Sequence, residues 1–443
     1  MFEAGSSQID ITPNCAINLA GSFEVRRTDK VHSRLYASTV VLDNGKTRVA
    51  WIACDLVFID DDTARQLRTS IADRIGTSSA NVFISCTHTH NGPSLFKGLP
   101  YAEPDKKVVD FVKKSIVDSA VQAANSMCPA KIGYANGQAA AAFNRRYLKS
   151  DGKAWMSPGP QDTDIVGREG PEDQELQVVW FEKLSGEKLA VMVNFSAHAT
   201  TAFSQCEISA DFPGQIRKIL HSKYYDDIPI LYLQGACGNT SPTNFDNPNN
   251  TLRGFEGTEL TGKIIADEAI NIIELSTDRI AEPQIAVSNI TIDAPVRELG
   301  SEDLSSAEAI EYIKKHPLEQ LDMTNERQMF PWYFAKCVTE MKSPDMQQKS
   351  WPVELSVLRL GPVALAANSA ELFVEYQMEI KEKAEVSVLI SELTNGYCGY
   401  VITPRAWENG SYEAQFAYSS KLSPVCGEMI VNKTLELLKR VYE

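Results

Sequence analysis

Asn81–Ser94, NVFISCTHTHNGPS, runs a short apolar stretch into two histidines one residue apart and then into Asn91-Gly92-Pro93. An apolar run bounded by turn residues reads as a buried strand, and a strand ending in His88-Thr89-His90 carries imidazoles to a sheet edge, where α/β proteins keep their chemistry. Imidazole is a common metal ligand, yet two histidines in a strand-to-loop corner also suit a structural role. Scarcity tips the balance. The chain has six histidines: His32, His88, His90, His198, His221 and His316. His198 lies in NFSAHATTAF, Asn194–Phe203, a second apolar run that reaches a histidine followed by small and hydroxyl residues. Two strand-end histidines are half of a zinc site, which usually takes three protein ligands and keeps a position open for water.

The segments SQIDITPN, VHSRLYASTVVL, CTHTHNGP, NFSAHATT with ISADFPG, LQGACGNTSP, AELFVEY and NGYCGYVITPRAWENGSYEAQ follow one another from near the start of the chain almost to its end. In this order they resemble the neutral/alkaline non-lysosomal ceramidase family, zinc amidases that cleave N-acyl bonds. The resemblance implies an α/β fold with a mixed β-sheet core flanked by helices, built as one ceramidase-like catalytic domain over residues 1–443. It implies hydrolysis of a C–N bond, in an N-acyl or cyclic amide, by a zinc-activated water. It also implies that His88, His198, Glu371 and Tyr400 ligate Zn2+. His90 is assigned to the reacting carbonyl oxygen, with the exchange of roles between His88 and His90 left open. Tyr412 matches the family's second active-site tyrosine, a donor to the developing oxyanion, and Arg145 in AAFNRRYL matches an arginine lining the active site, Arg146 being the lesser candidate. Ser241 matches a serine packed close to the catalytic centre.

Three departures stand out. Asn239 replaces the aspartate common before the family's Ser-Pro, Ala370 replaces the glycine usual before the zinc-binding glutamate, and the chain ends at Glu443 without the immunoglobulin-like domain that follows in the secreted ceramidases. The first two remove no ligand. The third makes a soluble N-acyl or cyclic amide as well supported a substrate as a sphingolipid.

Two neutral imidazoles, a carboxylate and a phenol oxygen form a nitrogen and oxygen set that suits zinc without thiolate. Zinc held this way lowers the pKa of bound water towards about 7 and polarises a carbonyl. Arg145, His90 and Tyr412 are the donors available to an oxyanion. Ser241 is not expected to be a nucleophile, because the neighbouring histidines are committed elsewhere and Asn239 is no proton acceptor; it is expected to hold a loop. Structural alternatives exist for each residue. Glu371 opens AELFVEYQMEIKEK, whose apolar residues recur at helical spacing, and an acidic residue in a first helical turn suits the helix dipole. Tyr400 and Tyr412 can be packing residues. His32 follows the basic stretch Arg26–Lys30 and reads as structural or substrate-lining, whereas His221 and His316 read as solvated helix positions.

Competing functions are an esterase or lactonase on the same zinc scaffold, an amidohydrolase barrel, which also opens with a strand-end His-x-His, and a non-catalytic binding homologue. The net charge of −15 argues against nucleic acid and anionic membranes as partners; the partner that the resemblance implies is a small-molecule substrate. No apolar window is long enough to span a bilayer, and MFEAGSSQID lacks a signal-peptide pattern. The expected location is cytoplasmic, or periplasmic or secreted if a leader has been removed. The nine cysteines are scattered singly, without Cys-x-x-Cys, so no disulfide is expected.

Hairpins are expected at 35–57, across Asp43-Asn44-Gly45, and at 176–195, across Ser185-Gly186. Helices are expected at 60–75, 108–126 and 254–275, and strands at 82–85 and 228–234. Glu298–Pro352, charged and carrying PWYF at Pro331–Phe334, reads as a helical insertion able to cap a pocket. A second rim is expected at Lys149–Gly170, with Trp155 and Met156 as substrate contacts.

Overall fold

The structure is a computed structural model that describes residues 1–96, 104–159, 162–224, 228–246, 253–300, 303–343 and 348–443. Residues 160–161 of the expected rim and 301–302 and 344–347 of the expected insertion lie outside the described residues.

Eight strands form the larger sheet: β1 Glu3–Asp10, β2 Tyr36–Asp43, β3 Arg48–Cys54, β4 Val82–Cys86, β5 Cys128–Gln138, β6 Glu175–Lys183, β7 Lys188–Phe195 and β8 Ile230–Gln234. Their order is β8-β7-β6-β5-β1-β2-β3-β4. The centre is antiparallel, but β3 with β4 and β7 with β8 are parallel pairs, one at each edge. A parallel neighbour requires a crossover, and helices supply both: α1 Asp61–Ile75 before β4, and α3 Asp211–Tyr224 before β8. Between them α2, Lys106–Asn125, covers β1 and β2. Caps bound α1 where the sequence calls for them. Asp60 accepts from the Thr63 amide, and Gly76 takes the left-handed conformation at φ 69°. Both crossover units deliver their loops at the C-terminal ends of parallel strands.

The sheet curls until edge strand β8 packs on β3 and β4 from the other end. Phe2, Trp51, Phe83, Phe181, Met192 and Leu231, drawn from both halves, share one buried core. A buried ion pair ties the two crossover units together. Asp55, just past β3, accepts from Arg217 Nη2 of α3 at 2.6 Å and from the Tyr36 amide at 2.8 Å. Arg217 also lies 4.8 Å over the Tyr36 ring.

After α4, Gly254–Leu275, a second sheet comprises β9 Ile285–Pro295, β10 Ser350–Leu360, β11 Val363–Asn368 and β13 Ser387–Ser391, in the order β9-β10-β11-β13. A short parallel pair, β12 Ala370–Leu372 and β14 Gly399–Val401, lies beside it. Leu358, Leu360, Leu365 and Leu389 of the second sheet enter the core of the first. The segment between β9 and β10 carries α5 Ser306–Lys315 and α6 Glu326–Met341, and the PWYF motif lies inside α6. Two helices, α7 Val374–Lys383 and α8 Cys426–Tyr442, complete the second layer. A mostly antiparallel sheet is incompatible with the alternating parallel strands of an amidohydrolase barrel, so that reading of the strand-end histidines is corrected.

Removing one partner of a buried ion pair leaves the other charge uncompensated, at a cost of about 3–5 kcal/mol. Asp55→Ala is therefore expected to lower the unfolding free energy by that amount in urea titrations. Asp55→Ala with Arg217→Met should recover most of the loss. A single-variant loss below about 1 kcal/mol would show that the pair is not what joins the crossovers.

Candidate metal centre

His88 is the second residue past β4 and holds φ at 65°, a left-handed value that a non-glycine residue adopts only when its surroundings enforce it. Its amide donates to Leu56 O at 3.0 Å, and its Nδ1 lies 2.8 Å from Val57 O. His90 Nδ1 lies 2.7 Å from Gly21 O, and His198 Nδ1 lies 3.1 Å from Cys237 O. Gly21 permits the close approach of His90, since a Cβ there would fall 2.3 Å from the ring. A carbonyl can only accept, so each Nδ1 carries the proton and each Nε2 presents its lone pair.

Those lone pairs converge. His88 Nε2 lies 2.9 Å from His198 Nε2 and 3.4 Å from His90 Nε2. Burial pushes the pKa values of His90 and His198 well below the ordinary imidazole value; for His90 the neighbouring His88 and for His198 the Arg145 guanidinium add to this. Facing lone pairs repel one another, and a cation placed among them would relieve that contact.

Glu371 and Tyr400 come to this point through strand pairing. The parallel register of β12 and β14 sets Glu371 beside Tyr400. Glu371 Oε2 lies 3.3 Å from His88 Nε2 and 3.8 Å from His198 Nε2. It is buried and has no hydrogen-bond partner, while Oε1 accepts from the Tyr397 hydroxyl at 2.6 Å. An orphaned carboxylate oxygen facing imidazole lone pairs is a donor set that could hold a divalent cation. The helix-dipole reading of Glu371 is corrected. Helix α7 starts at Val374, and Asn239 Oδ1 accepts from the Val374 amide at 2.8 Å while its Nδ2 donates to Glu375 at 2.8 Å. A carboxylate at 239 would face Glu375, so the amide suits this chain.

Arg145 Nη2 donates to the Tyr400 hydroxyl at 3.2 Å and to Gly238 O at 2.8 Å, and Arg145 also pairs with Glu413. Arg146 turns the other way, to Glu169 and to the second oxygen of Glu413. Burial raises the Tyr400 phenol pKa, and Glu371 raises it further. The Tyr412 and Tyr400 rings sit 5.7 Å apart at 81°. Ser241 stays outside this network. It pairs with Phe143 in a short ribbon, and its Oγ accepts from the Thr243 amide at 3.2 Å. That ribbon also carries Thr240, whose carbonyl accepts from the His198 amide at 3.4 Å.

A cavity of about 690 Å³ opens above the histidines, with Tyr397, Phe58 and Phe96 stacked along one side at 3.7 and 4.0 Å between rings. Tyr412 and Phe23 stand on another side, with Tyr333, Lys336, Cys337 and Glu340 of α6, so the 298–352 segment walls the cavity. Trp155 and Met156 are not among the described residues that line it, which corrects their expected role. His32 stacks on Phe255 at 3.5 Å and His316 packs on Tyr312 at 4.5 Å. His221 is tied to Ile228 O at 2.9 Å rather than merely solvated. Sequence reasoning missed Tyr397, although it stands three residues before Tyr400 in NGYCGY. It also missed Arg26, which donates to His90 O at 2.7 Å.

A model of the neutral/alkaline non-lysosomal ceramidase N-terminal region matches residues 2–227. The neutral ceramidase of Pseudomonas aeruginosa is 25% identical over 272 residues, which covers 58% of this chain and 38% of that protein, so this chain spans well under half of that relative. The neutral ceramidase of Drosophila melanogaster is 20% identical and is matched over 93% of this chain and 71% of its own length. A ceramidase solved in complex with C2 superposes with a TM-score of 0.74 at 18% identity, covering 100% of this chain and 75% of that one, which shows a shared fold. With the family model matched over residues 2–227 of 443, the chain belongs to the neutral/alkaline non-lysosomal ceramidase family.

Proposed function

We propose that the protein is a zinc-dependent hydrolase of an amide C–N bond in an N-acyl compound. The convergence of three imidazole lone pairs, with the orphaned Glu371 Oε2 facing two of them, carries this reading. His88, His198, Glu371 and Tyr400 would hold the ion: the first three form the tightest set, and Tyr400 is their strand neighbour. Bound there, zinc would supply Lewis-acid polarisation and a water of lowered pKa.

The remaining steps belong to side chains. Arg145 and the Tyr412 hydroxyl are donors grouped beside Tyr400 at one side of the centre, suited to a carbonyl oxygen that gains negative charge. His90 takes a role different from the donor first assigned to it. Its Nδ1–H is committed to Gly21 O, so its neutral Nε2 accepts, and it can take a proton during attack and return it to the leaving amine. Tyr397 holds Glu371 in place. Ser241 supports the ribbon beside Arg145 and His198. The stacked rings of Tyr397, Phe58 and Phe96 favour an apolar limb on the substrate and keep water from it.

Elemental analysis of protein purified without added metal is expected to find about one zinc per chain, and the double variant His88→Ala, His198→Ala should lose it. Full zinc retention by the double variant would place the metal elsewhere. Activity is best sought with a panel of N-acyl lipids, N-acyl amino acids, N-acyl sugars, esters and lactones. Amide cleavage supports the reading, whereas cleavage confined to esters or lactones contradicts it.

If Tyr412 donates only to the transition state, Tyr412→Phe should lower kcat roughly a hundred- to thousand-fold with KM and zinc content unchanged. Steady-state kinetics on the best panel substrate checks this. An unaltered kcat would make Tyr412 a packing residue of the Phe23 cluster.

A further inference from the structure

The turn that leaves β13, Glu392 to Asn395, touches the segments that carry His88 and Glu371 and the strand that leads to Cys237. The Glu392 amide donates to Gln234 O at the end of β8 at 2.9 Å, and the Leu393 amide donates to Ala370 O, beside Glu371, at 3.3 Å. The Cys86 amide, two residues before His88, donates to Leu393 O at 3.2 Å. Leu393 holds φ at 51°, a conformation that a branched side chain keeps only when the surroundings impose it, and Asn395 holds φ at 65°, a left-handed value that asparagine tolerates.

Within this turn the Glu392 side chain is fully buried, and among the described residues no ion pair involves it. Its carboxylate takes donors from two different arms. Oε1 accepts from Cys237 Sγ at 2.8 Å and from the Cys237 amide at 3.2 Å, and Oε2 accepts from the Leu372 amide at 2.7 Å. Cys237 is the residue whose carbonyl faces His198 Nδ1, and Leu372 directly follows Glu371. One carboxylate therefore spans the peptide that orients His198 and the peptide that carries Glu371. A buried carboxylate without a bonded cation is costly, and a divalent cation at the histidines would supply the compensating charge.

We propose that Glu392 is a positioning residue that sets the His198 arm against the Glu371 arm and thereby determines the metal affinity of the centre. This rests on the zinc reading above. An amide in its place has one acceptor and one NH2, so a donor would be turned against either the Cys237 or the Leu372 amide. The arms would then separate at one of the two contacts.

The test is the zinc dissociation constant, measured by competition with a chromophoric chelator, together with the Tm of the metal-free proteins. Glu392→Gln is expected to weaken zinc binding roughly ten- to hundred-fold, the range typical of groups that orient metal ligands. A control, Leu358→Ala in the shared core, should lower the metal-free Tm while leaving zinc affinity within about twofold of wild type. Equal loss of affinity in the two variants at matched Tm, or wild-type affinity in Glu392→Gln, overturns the proposal. Should Glu392→Gln fail to fold, Cys237→Ala removes one of the three donors and is expected to weaken zinc several-fold, with Cys237→Ser restoring it. Wild-type affinity in Cys237→Ala then overturns the proposal. Wild-type protein that takes up no zinc refutes the metal reading and the role of Glu392 with it, whereas stoichiometric zinc with an unaffected variant refutes only the latter.

Discussion

Each of the three clustered imidazoles has its Nδ1 committed to a backbone carbonyl, and the rest of the site depends on that commitment. Val57, Gly21 and Cys237 supply those carbonyls from three segments far apart in sequence. Once each proton is pinned on the outer nitrogen, the inner lone pairs face one another, with His88 and His198 2.9 Å apart. Such a contact is unfavourable without a cation. Glu371 Oε2, buried without a partner beside them, adds a negative charge that suits the point to a cation.

The fold serves this geometry by bringing opposite sheet edges together. A flat eight-stranded sheet would hold the loops after β4 and β7 far apart, since five strands would stand between those two strands. Curling places edge strand β8 against β3 and β4, and the Asp55–Arg217 pair joins the two crossovers across the seam. The two remaining ligand candidates arrive from the second sheet region. There the register of a three-residue parallel pair sets Glu371 beside Tyr400, and Glu392 ties that pair to the arm that orients His198.

Much of this was legible in the sequence. The hairpins across Gly45 and Gly186, the helix at Gly254–Leu275 and the strand-end position of His88 follow from turn residues and apolar runs, which are local signals. The ligand candidates followed from motif order. What escaped depends on contacts between distant segments. Helical spacing in AELFVEYQMEIKEK suggested that Glu371 lies in a helix, but pairing with 399–401 claims residues 370–372 as strand, and Asn239 caps the helix only from Val374. Tyr397 and Glu392 gave no local signal of their own, because each acts through a partner at least twenty residues away or on another strand. Trp155 and Met156 stood in a stretch rich in glycine, proline and aspartate that suggested a rim, yet pairing with Tyr147 and Arg146 places them in a ribbon that does not line the cavity.

Diffraction data collected on both sides of the zinc absorption edge from crystals of zinc-loaded protein test the central claim most directly. One strong anomalous peak is expected within bonding distance of His88 Nε2, His198 Nε2 and Glu371. A peak elsewhere, or none at this point in protein that has taken up zinc, would contradict it.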